Sequence, residues 1–193
     1  MGMVARQLIL VRHSITRQEP DTSSHDWSLT EEGRARCLKL AKKLEVFAPD
    51  VIVSSPEPKA RQTAQALVNA LRAPLEFEDD LREHQRKTAP FSPNVEDFRA
   101  KVEALLLNPD SLVFGEETAE QARQRFQEAV EVILARHPTK TVLAVTHGTV
   151  MALYMAQAAQ VDPVMFWRNL GMPAYVVLQM PDGIIIEQEN EVK

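Results

Sequence analysis

Three short clusters place histidines and cations directly after apolar runs: Arg12-His13, then Ser54-Ser55 leading to Lys59 and Arg61, and Thr146-His147-Gly148. Such residues suit work on a phosphate ester. A histidine with an ordinary pKa near 6.5 is largely neutral at pH 7 and can attack phosphorus through one ring nitrogen while the other is held by a hydrogen bond. An arginine offers a planar fork that matches two phosphate oxygens. A second histidine, if protonated, stabilises charge on the transferring oxygens, and a carboxylic acid with a raised pKa protonates the departing alkoxide. None of the residues named so far is such an acid.

For these clusters to meet, the runs before them must lie side by side. Gln7 to Val11, Asp50 to Ser54 and Thr141 to Val145 are short and nearly continuously apolar, as strands covered on both faces are. Helical patterns follow them. Cys37, Leu40, Ala41 and Leu44 form one stripe behind a Thr30 N-cap, with Cys37 reading as a small core residue. Ser55-Pro56 opens a helix to about Leu71, and further helices are expected near Asn94 to Leu107, from about Glu117 to Arg136, and from Val150 to about Ala159, where Met151 and Met155 read as core. Ala174 to Met180 and Ile184 to Gln188, joined by Pro181-Asp182-Gly183, read as a closing hairpin. Alternating strands and helices predict an α/β fold with a largely parallel sheet, and ligands collect at the carboxyl ends of such strands.

Composition limits what else the chain can do. With 193 residues, 45% of them hydrophobic, one domain spanning 1–193 is expected, with its own core. The net charge is −5, from 22 Lys and Arg against 27 Asp and Glu, so a nucleic-acid partner is not expected and an anionic substrate must be drawn by a local basic site. A lone cysteine excludes an internal disulfide and a cysteine-built zinc site, and no HExxH or close Asp/His cluster suggests another metal. No membrane span or export signal is evident, and Met1-Gly2 lacks the downstream Ser or Thr of a myristoylation signal. The expected compartment is the cytoplasm.

The motifs resemble those of the histidine phosphatase superfamily, also called phosphoglycerate mutase-like. Leu8-Ile9-Leu10-Val11-Arg12-His13 is similar to its first motif, Val53-Ser54-Ser55-Pro56 through Thr63-Ala64 to its second, Leu81-Arg82-Glu83 to its acid, and Val145-Thr146-His147-Gly148 to its last. The resemblance runs from about residue 7 to 180. It implies a three-layer α/β/α sandwich, no metal or organic cofactor, and hydrolysis of a small phosphorylated substrate or a phosphoprotein. His13 would be the nucleophile that becomes phosphorylated, Arg12 and Lys59 would grip the phosphate, His147 would be the second pocket histidine, and Glu83 would be the proton donor. A phosphoglycerate-type mutase and a catalytically weakened phosphate-binding module are the alternatives.

Two departures stand out. Ser14 occupies the usual glycine position, which is expected to narrow access, and Lys59 occupies the usual arginine position, keeping the charge and losing the fork. Arg61 is about 200° further around its helix and should point away, whereas Arg82 or Arg86 is placed to supply the missing fork. His84 adjoins Glu83 and is a candidate for the pocket, while His25 and His137 read as structural or solvated. Trp27 and Trp167 either shield the site or pack in the core. The segment 86–115, with Phe91 and Phe98, is expected to cover the pocket and set specificity.

Overall fold

The computed structural model describes residues 6–193, so the Met1-Gly2 reading lies outside the described residues. Six strands form one sheet: β1 (Arg6–Arg12), β2 (Val51–Ser54), β3 (Leu75–Phe77), β4 (Val142–Thr146), β5 (Ala174–Met180) and β6 (Ile184–Glu189), in the order β3-β2-β4-β1-β5-β6. The pairs from β3 through β1 are parallel, and β5 is antiparallel to both of its neighbours. This is the expected α/β architecture, mixed and mostly parallel.

The helices are α1 (Glu31–Leu44), α2 (Pro58–Leu71), α3 (Val95–Leu107), α4 (Ala119–Arg136), α5 (Gly148–Ala158) and α6 (Pro163–Asn169). Strand alternation sorts them into two layers. Leu8, Leu10, Val51, Val53, Val142 and Ala144 face one core, which also takes Val102, Phe126, Met151 and Phe166 from α3 to α6. Their strand neighbours Ile9, Val11, Ile52, Leu143 and Val145 face the other core, against Leu40 and Leu44 of α1 and Leu67 of α2. Since successive side chains of a strand point to opposite faces, continuously apolar strands require helices on both. The result is a three-layer sandwich with β4, buried throughout, at its middle.

Several boundaries differ from expectation. The helix after Thr146 begins at Gly148, two residues before Val150, which makes His147 its N-cap. Strand β3 and helix α6 have no counterpart in the periodicity reading, since three residues and seven residues are too short to show a period. Thr118 caps α4 through a reciprocal capping box with Gln121, which moves its start to Ala119. Among the described residues, no helix is long and apolar enough to cross a membrane.

Candidate active site

Neighbouring strand ends deliver the chemical groups. Arg12 pairs with Thr146 in the β1–β4 register, His13 N donates to the Thr146 carbonyl at 3.0 Å, and Ser55 N donates to the Val145 carbonyl at 2.9 Å. The loops leaving β1, β2 and β4 therefore start level with one another. His13 and His147 meet with ring centroids 5.2 Å apart. Next to them, Gly148 admits the Arg12 guanidinium: a Cβ there would stand 3.0 Å from Arg12 Nε.

His13 lines a cavity of about 390 Å³. Its Nδ1 lies 2.8 Å from the Ser14 carbonyl, which can only accept, so Nδ1 carries the proton and Nε2 keeps its lone pair. Burial pushes its pKa well below 6.5, and His147, Lys59 and Arg12 push the same way. The ring is a neutral nucleophile. Ser14 itself is fully buried behind His13, with its N–H on Thr63 Oγ1 at 3.1 Å, and it does not line the cavity. The expected narrowing of access by Ser14 is therefore corrected: its side chain points into the body of the protein.

His147 is also fully buried, with Nε2 2.8 Å from Ser55 Oγ and 3.7 Å from Glu57 Oε1, and with no partner on Nδ1. Burial lowers its pKa to about 4 despite the attraction of Glu57. Without an anion it is neutral, and it stands behind the cavity wall rather than on it.

Glu57 joins the parts of the site. Its carboxylate accepts from Lys59 Nζ at 2.6 Å, from His25 Nδ1 at 2.9 Å and from the Glu83 amide at 2.9 Å. Burial alone would raise its pKa, but His147, the His25 bond and the Lys59 ammonium hold it well below the usual carboxylate range. Lys59 lines the cavity, yet its Nζ is already tied to Glu57 and to the Ser24 carbonyl at 2.6 Å. Burial lowers its pKa and Glu57 opposes the shift.

Glu83 is buried on the cavity wall rather than exposed in its charged run. It accepts from the amides of His84 at 2.9 Å and of Thr149 and Val150 at 3.2 Å, so it also caps the start of α5. The expectation of a raised pKa fails here. Burial alone would raise it, but Arg86, His147 and the His84 amide together hold it well below the usual carboxylate range.

The remaining candidates separate clearly. Arg86 lines the cavity, with its guanidinium 3.5 Å from Glu83 Oε2 and 3.4 Å from Thr149 Oγ1. Arg82 does not, because Asp80 and the Asp79 carbonyl hold it outside the cavity. Arg61 lies over the Phe77 ring at 5.1 Å, directed away as the helix geometry requires. His84 is excluded from the pocket: its Nε2 meets the Glu117 carbonyl at 2.8 Å and its ring packs on Phe114. His25 is buried and structural, and His137 meets Glu76 at 3.2 Å on the far side of the chain. Arg12 donates to the Leu170 carbonyl and leaves its buried Nε unpartnered, and burial lowers its pKa to about 10, which keeps it cationic at neutral pH. Among the described residues, no group of three or more His, Cys, Asp or Glu is arranged to hold a metal ion.

The family model of the histidine phosphatase superfamily (branch 1) matches residues 8–183. The chain belongs to that superfamily. It is 27% identical over 157 residues to the uncharacterized phosphatase PhoE of Bacillus subtilis (strain 168), covering 80% of this chain and 78% of the relative. It is 30% identical over 188 residues to phosphoserine phosphatase 1 of Hydrogenobacter thermophilus, covering 91% and 87%. In fold it is similar to a phosphoserine phosphatase from Entamoeba histolytica solved with phosphoserine, with a TM-score of 0.76, 19% identity and coverage of 97% and 98%.

Sequence reasoning missed three parts of the site in this histidine phosphatase. Glu57 stands at a helix N-cap, where an acid needs no further explanation; its one signal is that it lies two residues before the lysine that replaces arginine. Arg125 on α4 clamps the acid's segment, donating to the carbonyls of Asp80 at 2.7 Å, Arg82 at 3.1 Å and Glu83 at 3.3 Å, and it is fixed by Glu117 at 2.7 Å. His25 supports both Glu57 and the Arg86 amide, which donates to its Nε2 at 3.3 Å. All three act through contacts remote in sequence.

Proposed function

We propose that this histidine phosphatase hydrolyses a small phosphomonoester through a phosphohistidine on His13, without a metal. The observation that carries the reading is the His13 ring: neutral, fixed by Ser14 through Nδ1, and set on the wall of a cavity whose lining cations include Arg12, Lys59 and Arg86. His13 Nε2 attacks phosphorus and the P–O bond to the leaving group breaks. The guanidinium groups of Arg12 and Arg86 hold the equatorial oxygens, and Lys59 adds charge without a fork. Water then attacks phosphorus, and the P–N bond breaks to release inorganic phosphate.

Glu83 supplies the proton to the departing oxygen and recovers one from the attacking water. Its low pKa in the free protein sets a condition on this role. A bound phosphate dianion competes for Arg86 and adds negative charge beside the carboxylate, and both raise its proton affinity. The same dianion favours a protonated His147, whose Nδ1 has no other partner. Protonation of the site is thus coupled to substrate.

A cavity of about 390 Å³, walled partly by residues of the segment 86–115, supports a small substrate rather than a phosphoprotein, and we assign specificity to that segment. A single buried cysteine, Cys37, fits a reducing compartment such as the cytoplasm. The test is hydrolysis of p-nitrophenyl phosphate in EDTA by the parent and by His13→Ala. Turnover in the parent and a loss of about 10³-fold or more in the variant are expected. A folded parent that binds phosphate without turnover would contradict hydrolysis and favour a binding module, and activity abolished by EDTA would contradict metal independence.

A further inference from the structure

The mechanism above uses the floor of the cavity and leaves its outer wall unexplained. Two aromatic pairs line that wall: Trp27 with Phe91, ring centroids 6.0 Å apart at 65°, and Phe98 with Trp167, 6.2 Å apart at 56°. Each pair joins a ring of the 86–115 segment to one from the body of the fold. Arg86 lies against the Phe98 ring at 5.3 Å, so the phosphate-holding guanidinium and the aromatic wall are continuous.

Of the three cations on this wall, Arg99 and Arg168 are paired, and Lys101 is in no ion pair among the described residues. Arg99 pairs with Glu96 at 2.7 Å and Arg168 with Glu103 at 2.6 Å. Among the described residues, Glu83 is the one carboxylate lining the cavity, and its oxygens are engaged by three amides and Arg86. An ammonium group on a substrate would find no unengaged acid on the cavity wall to pair with. A ring would find aromatic edges and faces in contact geometry.

Resting on the phosphatase reading of this site, we propose that the preferred leaving group is an uncharged alcohol bearing an aromatic ring, bound against Trp27, Phe91, Phe98 and Trp167. Amino-acid phosphates are then poor substrates. The inference concerns recognition, so the test must hold chemistry constant. 2-Phenylethyl phosphate and ethyl phosphate release alcohols of closely similar basicity and differ in the ring.

The expected result is a kcat/KM for 2-phenylethyl phosphate at least about tenfold above that for ethyl phosphate, carried mainly by KM, with O-phosphoserine no better than ethyl phosphate. Phe91→Ala should bring the ratio toward one. Trp27→Leu, which keeps apolar bulk for folding, should lower it less. A merely structural role for these rings would change both esters alike and leave the ratio unmoved. A ratio near one in an active parent, or a preference for O-phosphoserine, overturns the proposal while leaving hydrolysis intact. If neither ester nor p-nitrophenyl phosphate is turned over, the phosphatase reading falls and takes this proposal with it.

Discussion

The floor and the outer wall of the cavity are built on different principles. On the floor, His13, Ser55 and His147 start from neighbouring strand ends of one buried sheet, and Glu57 alone accepts from Lys59, His25 and the Glu83 amide. On the wall, the segment 86–115, part loop and part α3, reaches the fold through two ring pairs, the core residue Val102 and a few exposed ion pairs. The floor is fixed by regular structure and fixes the chemistry. The wall, being held by side chains, can vary without disturbing that chemistry, which is where substrate choice is placed.

If this division is right, disturbances to the floor must cost both stability and rate. The largest is expected at the buried Glu57–Lys59 pair. Glu57→Gln leaves the Lys59 ammonium buried without its counter-charge, which should cost about 3 kcal/mol in denaturant unfolding. Glu57→Gln combined with Lys59→Met should cost less than the sum of the single changes, because removing both charges removes the uncompensated one. Additive losses would show that the two residues are not coupled.

The floor should also make stability depend on pH in a way the wall does not. An unfolded histidine titrates near 6.5, whereas folded His147 titrates at about 4 and His13 well below 6.5. In that window the unfolded chain binds more protons, so stability falls as pH drops from about 6.5 toward 4. Below about 4.5 the buried carboxylates Glu57 and Glu83, both held below their ordinary values, extend the loss. Unfolding curves across this range for the parent and His147→Asn should differ in slope, the variant losing a share of about 3 kcal/mol. Parallel curves would contradict a neutral buried His147.

Arg86 lies at the junction of the two regions. Arg86→Lys keeps the charge and loses both the fork and its contact with Phe98, and should lower kcat/KM for p-nitrophenyl phosphate about tenfold. At the rim, Arg99→Ala removes an exposed ion pair and should change the same quantity less than about twofold. Equal effects at the two positions would erase the distinction between floor and rim.

The same division decides what could be read from the sequence. Five of the six strands and five of the helices were legible from their apolar patterns, and His13, His147 and Arg12 because they end continuous apolar runs, where an α/β sheet gathers ligands. Glu83 came from motif resemblance alone. The roles of Glu57, His25 and Arg125 were not legible, since apart from the Glu57–Lys59 and Arg125–Glu117 pairs the contacts that define them span 26 to 61 residues. The low pKa of Glu83 was also out of reach, because it arises from Arg86, His147 and the His84 amide, which only the fold brings together around it. Arg86 was one of two arginines beside the acid, and only the cavity wall separates it from Arg82.

The central claim is a covalent bond between His13 and phosphorus. The direct measurement is rapid alkaline quenching of the protein with ³²P-labelled p-nitrophenyl phosphate in EDTA, followed by identification of the labelled residue. The account predicts a label stable to base and labile to acid, located on His13 and absent from His13→Ala. Steady turnover with no label on His13, or with the label on another residue, would contradict it.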